Sequence, residues 1–164
     1  MIIVSDTTPF RYLIEIEAIE ILSALFGQVI MPSAVAAELQ HAKTPTKIKA
    51  WIQAPPSWVK IRQADHSEFI PLCPLGRGET EAIALAIELN AAAILMDERA
   101  GSKEAVRVGL LVLPTLTILE TAGAKGLLDL PEAIDHLSKT SFRASPKLLR
   151  DVLERDHRAK EVKE

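Results

Sequence analysis

Apolar positions along the chain come in two kinds, short solid runs and longer stretches in which they recur every three or four residues. The short runs, near 2–5, 28–31, 92–96 and 110–113, do not alternate with polar residues, so they read as strands buried on both faces. Residues 58–61 read as a further strand or a connector. Helical periodicity runs from Phe10 to about Phe26, where Gly27 stops it, and returns over 34–40, 79–89, 102–108, 115–124, 131–138 and 147–157. Thr8-Pro9, Pro32-Ser33, Gly76-Arg77-Gly78 and Ser145-Pro146 mark helix starts, and Asn90 is a left-handed helix end. The stretch with Lys43, Lys47, Lys49 and the Pro55-Pro56 break reads as a loose connection.

Strands alternating with helices imply right-handed crossovers, and hence a three-layer α/β/α fold with a mostly parallel central sheet. Residues 1–140 are expected to form this domain and 141–164 a C-terminal helical appendage. In such sheets ligands sit outside the carboxyl ends of the strands, where Asp6 and Asp97 fall.

The composition of the 164 residues, 48% hydrophobic and 25% charged, suffices for a core and excludes a disordered or fibrous chain. A net charge of −3 means that a nucleic acid can be met only through local basic surface or a metal ion. Aromatics at 4% argue against a broad base-stacking platform. The single Cys73 allows no internal disulfide, and the start of the chain lacks the basic flank of a secretory signal. No apolar run approaches the roughly 18 residues that span a bilayer, so a cytoplasmic protein without membrane contact is expected. His41, His66, His136 and His157 have no paired spacing of the kind zinc requires, and no Lys-Ser/Thr follows Gly76 and Gly78 as a phosphate loop would need.

Four acids stand out against this background. At 100° per residue, Ile83, Ala82 and Ala86 fall near Glu79 on its helix, whereas Glu81 and Glu88 lie on the opposite, wet face. Glu38 likewise shares a face with Ala34 and Val35. Each acid alone is explained as a cap or a turn residue. Together, two acids at strand ends and two on apolar helix faces can converge on one crevice, where mutual repulsion calls for a divalent cation. Oxygen-only ligands favour Mg²⁺ or Mn²⁺ over zinc.

The segments V-S-D-T-T-P at the start, A-A-E-L at 36–39, G-R-G-E-T-E-A-I-A-L-A at 76–86 and I-L-M-D-E-R at 94–99 resemble the PIN-domain superfamily, in particular its VapC-like prokaryotic branch. The resemblance runs to about residue 125, and the eighteen-residue step from Glu79 to Asp97 fits the third and fourth acids of that family. It implies metal-binding, catalytic acids at Asp6, Glu38, Glu79 and Asp97, with Thr7 as the small hydroxyl residue that supports the first. It also implies a Mg²⁺- or Mn²⁺-dependent ribonuclease and, within that branch, the toxin of a toxin–antitoxin pair. Two positions depart from the pattern: Glu79 stands where Asp is common, and Leu95-Met96 replace the usual Ser or Thr before the last acid.

RNA is then the expected substrate, with Arg77, Arg99, Lys103 and Arg107 as candidate contacts beside the crevice. An antitoxin protein and a homodimer are the expected protein partners. The departures leave open a non-catalytic PIN-like protein that binds nucleic acid or protein. A phosphotransfer protein on a similar sheet is disfavoured, because Thr8 stands where a phosphatase needs a second Asp and Asp6 has no acidic neighbour.

Overall fold

A computed structural model describes residues 1–65 and 68–164; His66 lies outside the described residues. Strands β1 (Ile3–Ser5), β2 (Val29–Pro32), β3 (Val59–Arg62), β4 (Ala93–Leu95) and β5 (Val112–Leu113) form one sheet in the order β3-β2-β1-β4-β5. All four pairings are parallel. β1 and β4 lie at the centre, and every residue of both is buried, as their unbroken apolar runs require. β3, at the edge, buries only Val59 and turns Lys60 and Arg62 to solvent, where charge discourages pairing with another chain.

Nine helices are seen among the described residues: α1 (Thr7–Glu15), α2 (Ile21–Phe26), α3 (Ser33–Leu39), α4 (Thr46–Gln53), α5 (Arg77–Glu88), α6 (Arg99–Arg107), α7 (Thr115–Ala124), α8 (Leu130–Ser138) and α9 (Pro146–Lys163). The strand pleat sorts them into two layers. Ile3, Ala93 and Leu95 join a core with Phe10 and Leu13 of α1 and Leu119 of α7. Val4, Ile94 and Met96 point the other way, into Ala82, Ile83 and Ala86 of α5 and Ala105 of α6. Val152 of α9 is buried in the first core, and that helix packs against α7 and α8. No helix among the described residues is long and apolar enough to cross a membrane.

The chain leaves β1 toward β2 on one side and β4 toward β5 on the other. A crevice therefore opens between the carboxyl ends of β1 and β4, where the winding reverses.

Two helical expectations are corrected. The stretch from Phe10 to Phe26 is not one helix. α1 stops at Ile16, Glu17 takes a left-handed φ of 59°, and the chain turns so that Ile16, Ile19 and Ile21 all stay buried. The Ala18 N–H bonds Leu13 O (2.8 Å) and the Glu17 N–H bonds Ile14 O (3.0 Å), a Schellman ending with Glu where glycine is usual. The stretch read as a loose connection contains α4, whose Ile48 and Ile52, one turn apart, are buried against neighbouring helices. Its four apolar positions, Ile48, Ala50, Trp51 and Ile52, are bunched between lysines and prolines and set no helical period.

Glu17→Gly should stabilise the fold by about 1 kcal/mol, because glycine removes the left-handed strain. It loses only the exposed Lys47–Glu17 ion pair. A urea melt of both proteins checks the sign.

Candidate active site

Asp6 directly follows β1. Its N–H donates to Leu95 O (2.9 Å), which extends the β1–β4 ladder by one residue and fixes the side chain at the mouth of the crevice. The residue is only 2% exposed. Burial and the nearby Glu79, Glu38 and Glu98 carboxylates push its pKa up to about 7, against the opposing effect of the Thr7 amide.

Glu38 reaches the same place from α3. Its Oε1 accepts the Gly78 N–H (3.0 Å) and its Oε2 the Thr7 hydroxyl, so one carboxylate ties the first turns of α1 and α5 together. Gly78 is needed here, because a Cβ on it would lie 2.6 Å from Glu38 Oε1. Glu79 occupies the third position of α5 and reaches back to the Gly76 N–H (3.3 Å). Its Oε2 nestles against Gly101 of α6, where a Cβ would come within 2.4 Å of it. Burial, and after it Glu98 and Glu38, raise the pKa of Glu79.

Asp97 takes a different position. Its Oδ1 accepts the Thr115 N–H (2.9 Å) and its Oδ2 the Thr115 hydroxyl (2.6 Å), so it pins the end of β4 to the start of α7. Burial raises its pKa, the two Thr115 bonds oppose that, and Glu98 is the carboxylate that adds to it. The structure thus brings Asp6, Glu38 and Glu79 within mutual electrostatic reach and turns Asp97 toward α7. Glu98, which the sequence reading passed over, acts on Asp6, Glu79 and Asp97. Its place just beyond a central strand and just before α6 was the available signal.

Glu81 is a correction to the helical phase. It does not face solvent but accepts the Ser33 hydroxyl (2.8 Å) and the Ala34 N–H (2.7 Å), satisfying the free amide end of α3. That bond also orients the helix that carries Glu38. Glu88 is exposed, as its phase implies. Of the basic residues, Arg99 and Lys103 line a shallow concavity with Asp97 and Ser102. Arg77, at the start of α5, borders a separate depression with Ala64 and Leu75. Arg107 lies eight residues beyond Arg99, roughly 12 Å along α6. There it binds Glu104 (2.7 Å) and Ile70 O (3.3 Å), away from the acids.

Carboxylate oxygens are the ligands a hard divalent cation takes, and the carboxylates of Glu38 and Glu98 bear on both Asp6 and Glu79. The donor chemistry therefore fits such an ion. Among the described residues no three His, Cys, Asp or Glu side chains stand close enough together to hold a metal ion as they are placed. Glu38 and Glu79 rest instead on the backbone amides of the α5 start.

A parallel α/β sheet that gathers acids around a buried aspartate where its winding reverses defines a PIN-like protein. The family described as PIN domain, DUF3368, matches residues 2–158, and the chain belongs to it. PIN domains are generally nucleases that use divalent metal ions. No curated protein matches the chain. Among solved structures it is similar in fold to a PilT N-terminus domain protein from the hyperthermophilic archaeon Sulfolobus solfataricus P2. The TM-score is 0.51 at 17% identity, over 88% of this chain and 100% of that one.

The raised Asp6 pKa makes stability depend on pH. Between the ordinary value of 3.8 and about 7 the folded state holds a proton that the unfolded chain has released, so stability falls as pH rises through that window. The decline should be roughly 2–4 kcal/mol without metal. Asp6→Asn should flatten it and be the more stable protein above about pH 7, as urea melts in EDTA will read.

Proposed function

We propose that the chain hydrolyses phosphodiester bonds of RNA in the crevice between β1 and β4, with Mg²⁺ or Mn²⁺ held by Asp6, Glu38 and Glu79. The observation that carries this reading is the buried Asp6 carboxyl, whose pKa the Glu79, Glu38 and Glu98 carboxylates help to raise. An ion bound there supplies acidity to a water and offsets charge on the leaving oxygen.

The side chains themselves supply placement. Thr7 and the Gly78 amide hold both oxygens of Glu38, so that it enters the site in one orientation. Glu79 is held between the Gly76 amide and Gly101, which offsets its extra methylene relative to the commoner Asp. Arg99 and Lys103 meet backbone phosphates beside the acids, giving a chain of net charge −3 a local surface that RNA can approach. Asp97 serves as a positioning residue, keeping the first turn of α7 against the crevice through Thr115.

A second reading, a PIN-like protein that binds RNA without cutting it, is favoured by that same engagement of Asp97, which withdraws one expected acid from the set.

Purified protein should cleave single-stranded RNA with Mg²⁺ or Mn²⁺, and EDTA should stop it. Asp6→Asn should lower kcat by at least about 100-fold, beyond what loss of an outer support to a ligand costs. Glu88→Gln, on the exposed face of α5, should cleave like wild type. Equal cleavage by Asp6→Asn would contradict the proposed site, and RNA binding without cleavage would select the second reading.

A further inference from the structure

A cavity of about 300 Å³ lies between the first turns of α7, the 142–144 segment and α9, and Asp97 forms part of its wall. We propose that this cavity is a subsite for one nucleobase of the RNA strand cut at the acids, an inference that rests on the ribonuclease reading above.

The walls are mixed. Leu116, Phe142, Leu148 and Val152 give it an apolar side, and Asp97, Thr117, Glu120, Arg143 and Arg155 are its polar and charged groups. This is the make-up of a small-ligand pocket, apolar surface with a few polar groups to fix orientation. Its apolar side suits the face of a flat heterocycle, while the Asp97 and Glu120 carboxylates in the wall oppose a phosphate.

Phe142 is held in place, which a stacking surface requires. Its N–H donates to Thr140 Oγ1 (3.2 Å), and its ring stands edge-on to Tyr12 at 5.1 Å and 86°. The Tyr12 hydroxyl is bonded to Ser141 Oγ (2.9 Å), which fastens the segment to α1 beside the crevice. On the far rim Arg155 and Glu120 bond each other at 2.6 and 3.2 Å. Arg143 enters no ion pair among the described residues and is exposed.

Continuity through Asp97 identifies the occupant. Asp97 borders this cavity on one side and the Arg99–Lys103 concavity on the other. A strand laid across the two keeps its phosphates on the basic side, passes Asp97 and sets one base against the apolar side of the cavity. The arrangement also explains how a chain with only 4% aromatic residues can grip a base, since a single prearranged ring replaces a broad platform.

The test uses nucleoside 5′-monophosphates and inorganic phosphate as probes of the metal-free protein, followed by NMR. The mononucleotides should shift the Phe142, Leu148 and Val152 resonances saturably, and inorganic phosphate should leave them unmoved. Leu148→Trp fills the cavity from a rim position that is 44% exposed, so the fold tolerates it, as circular dichroism will verify. It should weaken mononucleotide binding at least about tenfold, the scale of one lost base-stacking contact. Phe142→Ala should weaken it similarly, and both variants should change which nucleotide flanks the cut in RNA. If the mononucleotides shift these resonances while RNA stays whole, the subsite stands and the nuclease reading fails. If RNA is cut but neither variant alters mononucleotide binding or the cleavage pattern, the subsite is overturned and the nuclease reading stands.

Discussion

Like charges gathered around one buried carboxyl repel one another, and much of this fold is arranged to hold them there. Asp6 is buried by the sheet itself, because its amide continues the β1–β4 ladder. Glu38 and Glu79 approach it only because Gly78 and Gly101 carry no Cβ where those carboxylates lie. Even Glu81, which touches none of them, fixes the start of α3 and so the direction from which Glu38 enters. A fold that needed only stability would place an apolar residue at the buried Asp6 position, since a carboxyl buried beside other carboxylates is costly. On the function proposed above, that cost prepares the site for a divalent cation.

Asp97 joins the acids to the rest of the molecule in a different way. By taking both Thr115 donors it makes the N-terminal end of α7 part of the crevice wall. α7 in turn packs against α8 and α9. The C-terminal helices are thereby tied to the site, and the cavity beside Asp97 is built from both parts of the chain.

The sheet and most helices could be read from the sequence, because solid apolar runs and a 3.6-residue period survive without tertiary context. The start signals at Ser145-Pro146 and the left-handed Asn90 hold in the structure for the local reasons that predict them. The misses share one cause, an interaction between residues distant in sequence overriding a local rule. Glu17 takes a glycine's conformation to keep three isoleucines inside, and α4 exists because neighbouring helices cover Ile48 and Ile52. Helical phase placed Glu79 correctly but not Glu81, since phase cannot report that the amides of α3 lie within reach. Nor could it show that Thr115, eighteen residues downstream, would claim Asp97 while Glu98 turned its charge on the others.

Mn²⁺ binding to the metal-free protein, followed calorimetrically in buffers of different ionisation heat, tests the central claim most directly. If Asp6, Glu38 and Glu79 form one cation site, Mn²⁺ binds and displaces about one proton at about pH 6, where Asp6 is largely protonated, but few above about pH 8. Glu79→Gln then weakens binding sharply. Absence of Mn²⁺ binding, or binding that neither releases protons nor responds to Glu79→Gln, would contradict the account.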